Sequence, residues 1–282
     1  MGLSPADLFA LLLVGSFIAG LLGSLTGLGG GVVIVPLLSL ALHIDLKYAI
    51  GASIVSVIAT SSAAAATYAK EGYTNLRLAM FLEVATTLGA IVGAFLAIYL
   101  PTHLIEGIFG LVLLFSGIQN LSRHAVRPSL LPEESSAGVM KLRLPGEFPE
   151  AGGTTRYGLT NVPGGFAMMA LAGGLSGMLG IGSGGFKVIA MDGLMRVPFK
   201  VSTTTSNFMI GVTAAASAGV YLERGYINPQ LASPVMLGVL AGASLGTRFL
   251  MKWRSETLRK IFAALLMALG VYMAYSAVRG LL

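Results

Sequence analysis

The chain contains no cysteine, a single tryptophan and three histidines among 282 residues, and only 11% of its residues are charged. Without thiols there is no disulfide, no haem attachment and no thiolate metal site. The histidines are scattered, and no set of His, Asp and Glu has metal-ligand spacing, so neither a metal nor another cofactor is expected. The scarcity of charge also argues against an ordinary soluble domain, in which about 25% of residues are charged. What fills the chain is apolar: 55% of residues are hydrophobic and the mean hydropathy is +0.83.

Apolar windows recur along the whole length at about 15–25 residues, close to the roughly 20 that a helix needs to cross the hydrocarbon. The alternating segments of a transmembrane β-barrel are not found. The pattern predicts helices over 6–26, 31–44, 47–69, 76–99, 102–123, 160–180, 185–196, 199–222, 230–251 and 257–279. The second and seventh are short, as expected of segments that cross only part of the bilayer or enter it tilted. Met1–Ala6 carries no Lys or Arg, so the first run reads as a spanning helix rather than a cleaved signal peptide. Between the fifth and sixth helices, Arg123 to Tyr157 holds Pro128, Pro132, Pro145 and Pro149 among mixed charges. That composition predicts a solvated linker, with room for one short interfacial helix.

The two sides of the linker resemble each other. An offset of 153 residues aligns GYTN (72–75) with GYIN (225–228), Gly89 and Gly93 with Gly242 and Gly246, Lys47 with Lys200, and Ser53 with Ser206. An offset of 154 aligns AGLLGSLTGLGGG (19–31) with GGLSGMLGIGSGG (173–185). This is an internal duplication. The predicted domains are therefore a first membrane repeat (1–124), a cytoplasmic linker (125–157) and a second repeat (158–282). Five helices per repeat is an odd number, so the second copy is expected upside down relative to the first. With both termini outside, the inner loops hold thirteen Lys and Arg residues and the outer side four, the positive-inside pattern of a bacterial cytoplasmic membrane protein. Orientation thus accounts for the sequence pI of 9.7, and no nucleic-acid partner is expected. The fold class predicted is an all-α polytopic membrane protein of about ten helical segments, two of them short and Gly-interrupted, in two inverted five-helix repeats.

The stretch GSLTGLGGGVVIVPLLS (23–39) carries five glycines in nine residues, followed by Pro36. Each interior glycine costs a helix about 1 kcal/mol and the proline about 3, so the helix is broken there. The second copy breaks at 177–185. Paired Gly-interrupted segments in inverted repeats mark the substrate site of secondary transporters, near the bilayer midplane. These motifs, GSLTGLGGGVVIVPLL (23–38) and GMLGIGSGGFKVIAMDGLMRVPFK (177–200), together with KVSTTTSNFMIGVTAAASAGVYLERGYI (200–227), resemble the sulfite exporter TauE/SafE family of membrane permeases. The resemblance covers nearly the whole chain apart from the linker. It implies movement of sulfite, organosulfonates or related small sulfur-containing anions across the cytoplasmic membrane. Ser183 and Ala190 stand where such proteins often carry Gly and Pro, so the second half-helix is expected to bend differently.

Candidate substrate-binding residues follow from this frame. Gly29, Gly30 and Gly31 in the first break, and Gly182, Ser183, Gly184 and Gly185 in the second, can expose backbone N–H groups to an anion at a helix start. Lys187 follows the second run, whereas its counterpart is Val33. A lysine near the bilayer centre is costly, so it either balances an anionic substrate or snorkels to the interface. Ser53, Thr205, Ser206 and Asn207 offer hydroxyl and amide donors, with interhelical hydrogen bonding as the competing role. Glu83 lies roughly 12 Å into the fourth helix, where a carboxylate can carry a coupling proton or pair with a basic residue on a neighbouring helix. Asp192 is a second coupling candidate, although its i,i+4 spacing to Arg196 favours a structural salt bridge. Gly89/Gly93 and Gly242/Gly246 read as helix-crossing glycines, and Arg248 as a snorkelling residue.

Two motif matches carry nothing. Gly180–Gly185 fits G-x-G-x-x-G without a βαβ unit around it. Gly174-Leu175-Ser176-Gly177 resembles an intramembrane serine protease motif, but no histidine falls where a base for Ser176 would. No enzymatic activity is expected. The function read from the sequence is a secondary permease for a small anion, working by alternating access in the lipid bilayer, with protons as the candidate coupling ion. The rivals are a non-transporting membrane scaffold or accessory subunit, and a permease for another carboxylate or oxyanion. The sequence leaves oligomeric state open.

Overall fold

Breaks in helical propensity set the element boundaries. The computed structural model describes residues 4–24, 30–70, 72–122, 135, 137–150, 153–250 and 255–280. The first repeat comprises α1 (Pro5–Ser24), α2 (Gly31–Pro36), α3 (Leu46–Lys70), α4 (Leu76–Tyr99) and α5 (Thr102–Ser122). A linker follows with α6 (Ala137–Lys141), β1 (Gly146–Glu150) and β2 (Gly153–Tyr157). The second repeat comprises α7 (Val162–Leu179), α8 (Gly184–Val188), α9 (Phe199–Glu223), α10 (Pro229–Leu250) and α11 (Ser255–Arg279). Both short helices widen into a π-helical turn, Leu37–Ala41 after α2 and Ile189–Leu194 after α8. Only the first copy has a proline there, Pro36 against Ala190, so the proline is not what causes the widening.

Among the described residues four helices are long and apolar enough to cross a membrane, over Leu46–Ala63, Leu76–Tyr99, Thr102–Gln119 and Val162–Leu179. Shorter apolar helical stretches cover Ala6–Leu21, Gly31–Ala41, Pro229–Leu245 and Ala263–Arg279. The protein is an all-α polytopic membrane protein.

Packing follows the duplication. Helix α3 lies against its repeat mate α9, and α5 against its mate α11, while α1 pairs with α10 and α4 with α7. Close approaches give the directions. Gly110 faces Gly270 and Gly117 faces Ala263, so α5 and α11 run antiparallel. Gly89 sits on the Ala170 carbonyl and Gly93 on that of Gly174, so α4 and α7 run parallel. Gly238 on the Leu13 carbonyl and Gly242 on that of Phe17 make the equivalent parallel crossing of α1 and α10. Repeat mates that run antiparallel, with swapped partners that run parallel, are related by a two-fold axis perpendicular to the helices. The copies are therefore inverted. The small residues let backbones touch where lipid supplies no hydrophobic drive between helices. The roles expected for Gly89, Gly93 and Gly242 agree with this; the contacts of Gly246 lie outside the described residues.

The same axis relates two lysine–tyrosine contacts. The Lys47 ammonium lies 5.8 Å from the Tyr226 ring centroid, and that of Lys200 lies 5.6 Å from Tyr73. Each joins the start of one long helix to the GY loop of the other repeat.

The linker departs from the expected solvated tether. β1 and β2 form an antiparallel hairpin in register from Gly146↔Tyr157 to Glu150↔Gly153. Val139, Leu144, Tyr157 and Leu159 are buried against Leu78, Leu82, Met195 and Val197. Asn75 fixes this docking. Its Oδ1 caps α4 by accepting from Leu78 N at 3.0 Å, and its Nδ2 donates to the Leu144 carbonyl at 3.0 Å and the Tyr157 hydroxyl at 2.7 Å. A five-residue strand with an internal proline is too short for periodicity to reveal. Its stability comes from this contact with the end of α4.

Candidate functional site

The two helix breaks meet between α3 and α9. Gly29 lies outside the described residues, but Gly30 is the N-cap residue and Gly31 the first residue of α2. A Cβ on Gly31 would stand 2.7 Å from Ser53 Oγ and 2.8 Å from the Gly180 carbonyl oxygen, so only glycine lets the first break approach the second this closely. Gly180 (φ 67), Gly182 (φ 74) and Ser183 (φ 45) turn the chain from α7 into α8 through left-handed conformations. Ser183 is a non-glycine residue at a strained, left-handed position. Its Oγ compensates by donating to the Ala172 carbonyl at 2.6 Å. Gly184 and Gly185 are buried first residues of α8, whose N–H groups have no acceptor within the helix.

The hydroxyls around the break hold it in place. Ser53 donates to the Gly180 carbonyl at 2.8 Å, and Ser206 to that of Gly184 at 3.2 Å. Within the polar run of α9, Ser202, Thr203 and Thr204 donate to backbone carbonyls of Val197, Phe199 and Lys200. Thr205 accepts from Asn75 N at 3.1 Å, linking α9 to the cap of α4. Asn207 is half-buried. Ser53 thus directs its proton to the carbonyl left free where α7 ends, and Ser206 to the first carbonyl of α8, a positioning role ahead of ligand donation.

Lys187 does not snorkel. It is fully buried at 0% exposure, and its Nζ donates to Thr213 Oγ1 at 2.6 Å, midway along α9. Thr213 Oγ1 in turn lies 2.7 Å from Glu83 Oε1 and 2.8 Å from the Met209 carbonyl oxygen, and its one proton can go to either. Thr87 Oγ1 donates to the same Glu83 Oε1 at 3.3 Å. Glu83 is 8% exposed, and its Oε2 is buried without a hydrogen-bond partner. The basic partner that the sequence allowed for Glu83 is therefore Lys187, reached through a threonine. The sequence reading missed Thr213. Its signal was available: a lone hydroxyl in the apolar run MIGVTAAA, matched in the first repeat by Thr60.

This polar trio breaks the repeat symmetry. The equivalents of Lys187, Glu83 and Thr213 are Val33, Met236 and Thr60, and Thr60 donates to its own helix at Ser56 O, 3.0 Å away. One of two related positions therefore carries charge. Asp192 sits half-buried on the π-helical turn, and Arg196 lies beyond the end of that turn with φ 59. The two therefore do not lie on one continuous helix. The side chain of Arg248 lies outside the described residues. Among the described residues no group of three or more His, Asp or Glu gathers as a metal site.

Inverted repeats, paired helix breaks at their interface and a buried charge beside one break define the class as a membrane permease. The sulfite exporter TauE/SafE family profile matches residues 12–273, and the chain belongs to that family. It is 26% identical over 277 residues to the probable membrane transporter protein YunE of Bacillus subtilis (strain 168), covering 96% of this chain and 98% of that one. It is 23% identical over 281 residues to the probable membrane transporter protein MJ0441 of Methanocaldococcus jannaschii, covering 94% and 95%. A Sinorhizobium probable membrane transporter protein, ORF9, is 23% identical over 264 residues, covering 94% and 91%. No solved structure matches the chain. The protein is a membrane transporter rather than an enzyme.

Proposed function

We propose that the protein is a secondary permease carrying a small sulfur oxyanion, such as sulfite or an organosulfonate, across the cytoplasmic membrane by alternating access. The observation that carries this reading is Lys187: a lysine with no exposure, one turn past a helix break, at the repeat interface. Removing one partner of a buried charge pair costs about 3–5 kcal/mol, and such a charge inside a membrane marks a substrate or ion pathway by default. Lys187 serves as counter-charge to the anion, with the N–H groups of Gly184 and Gly185 and the Asn207 amide completing its surroundings. Gly30, Gly31 and Gly182 allow the close approach, Ser53, Ser183 and Ser206 hold the breaks, and Thr205 ties α9 to the cap of α4. Glu83 carries the coupling proton. The bias of Lys and Arg supports an orientation with both termini outside and the linker, 125–157, in the cytoplasm between membrane repeats 1–124 and 158–282.

The test is flux in proteoliposomes over sulfite, ethanesulfonate and acetate, with and without an imposed proton gradient. Flux of the sulfur anions is expected. Flux of acetate alone would move the cargo to carboxylates. No flux of any of them, with no thermal stabilisation of the purified protein by small anions, would make it a non-transporting scaffold.

A further inference from the structure

Lys187 and Glu83 are joined by one hydroxyl in a setting otherwise poor in charge. Helix α7, packed on α4, contains no titratable residue. On α9 the other charged groups are Lys200 at one end and Glu223 at the other, roughly 20 Å and 15 Å along the axis from Thr213. On α4 Arg77 is exposed, about 9 Å along the axis from Glu83. Tyr157 of the docked hairpin meets Asn75, about 12 Å from Glu83. On the α8 segment Asp192 sits five residues past Lys187, and on α3, packed against α9, Lys47 and Tyr48 lie roughly 20 Å along the axis from Ser61, which meets Gly211. One positive and one negative group thus balance locally, with Glu83 Oε2 buried and unpartnered.

We propose that Lys187, Thr213 and Glu83 form a charge-neutral unit that obliges one proton to accompany each monoanion, so that transport is electroneutral, with Thr213 as the positioning residue that couples the two events. This rests on the anion-permease reading. In the empty protein the Thr213 hydroxyl accepts from the Lys187 ammonium and donates to the Glu83 carboxylate, and the unit carries no net charge. An anion that takes Lys187 as its partner leaves Glu83 as an uncompensated buried negative charge. Glu83 relieves this by binding one proton from the aqueous side on Oε2, forming an O–H bond. The Thr213 hydroxyl then donates to the Met209 carbonyl, already within 2.8 Å. The loaded unit of ammonium, anion and carboxylic acid is again neutral. On the far side the anion leaves, the carboxyl returns its proton to water, and the Lys187–Thr213–Glu83 chain re-forms. The repeat-related positions, Val33 and Met236, lack both charges, so the pair of helix breaks holds one such unit among the described residues.

Ethanesulfonate is the decisive probe because it stays a monoanion at every pH used, whereas sulfite itself titrates. A carrier moving one net charge would change its equilibrium accumulation by about fifty-fold at 100 mV. In proteoliposomes of the full chain, accumulation of ethanesulfonate is expected to follow an imposed pH difference, tenfold per unit, and to ignore a potassium–valinomycin potential. Glu83→Gln should exchange ethanesulfonate but lose the response to pH difference. Thr213→Val should lose that response and Thr213→Ser regain it. A fifty-fold dependence on potential would overturn electroneutrality while leaving the permease reading intact. Wild-type pH coupling in Thr213→Val would overturn the bridge. No flux of either sulfite or ethanesulfonate would overturn the permease reading and this inference with it. A measurement without substrate guards against poorly folded variants: the doubly neutral Lys187→Met/Glu83→Gln protein should unfold at a higher temperature than either single variant. Additive destabilisation would overturn the neutral pair.

Discussion

Ser183 shows how one side chain can stand in for a glycine. An L-residue in the left-handed region costs roughly 1–2 kcal/mol, and the short hydrogen bond from Ser183 Oγ to the Ala172 carbonyl returns a similar amount. Separating the two terms gives a prediction. Ser183→Ala keeps the strain and loses the bond, and should lower stability by about 1–2 kcal/mol. Ser183→Gly loses the bond but relieves the strain, and should lie close to the parent protein. Thermal unfolding in detergent checks this; equal loss in both variants would contradict it. Residue-scale chemistry was partly legible in the sequence. Lys187 and Glu83 stood out because charges are rare in apolar runs, but their union did not, since it runs through a threonine 130 positions from Glu83 on another helix. The hydroxyls of Ser53 and Ser206 looked like ligand donors because sequence does not show the Gly180 and Gly184 carbonyls that lie beside them.

At the scale of elements, the helices and their boundaries were legible because glycine, proline and hydropathy act locally. The hairpin was not, because its strands are held by tertiary contact with α4. Two predictions belong here. A Cβ on Gly93 would collide with the Gly174 carbonyl, whereas the nearest atom to a Cβ on Gly174 is 3.7 Å away. Gly93→Ala should therefore cost about 1–3 kcal/mol by overpacking the α4/α7 crossing, and Gly174→Ala should be tolerated. Detergent melting curves of the two variants distinguish them. The second prediction concerns Tyr157 in the linker. Burial pushes its phenol up to about 12, against the opposing hydrogen bond from Asn75. An unfolded tyrosine ionises near 10, so its contribution is fully present below that pH and is lost as pH rises from about 10 to about 12. The unfolding temperature should fall across that window more steeply in the parent protein than in Tyr157→Phe. Equal slopes would contradict the buried neutral phenol.

For the whole molecule, the inverted duplication brings two equivalent helix breaks together, and only the second has a lysine beside it, Lys187 against Val33. The duplication and its inversion were legible because a single offset survives in the sequence and because odd helix number forces the flip. The cross-repeat pairing of α1 with α10 and α4 with α7 was not, because it depends on three-dimensional exchange between copies. In the proposed permease, symmetry gives the frame for alternating access and asymmetry gives the anion its counter-charge. Ethanesulfonate flux into proteoliposomes by the parent protein and by Lys187→Met, at matched incorporation and verified folding, tests this most directly. The account predicts robust flux in the parent and a loss of at least about tenfold in the variant, the size expected from removing an interaction of 1.4 kcal/mol or more. Equal flux in both would contradict it.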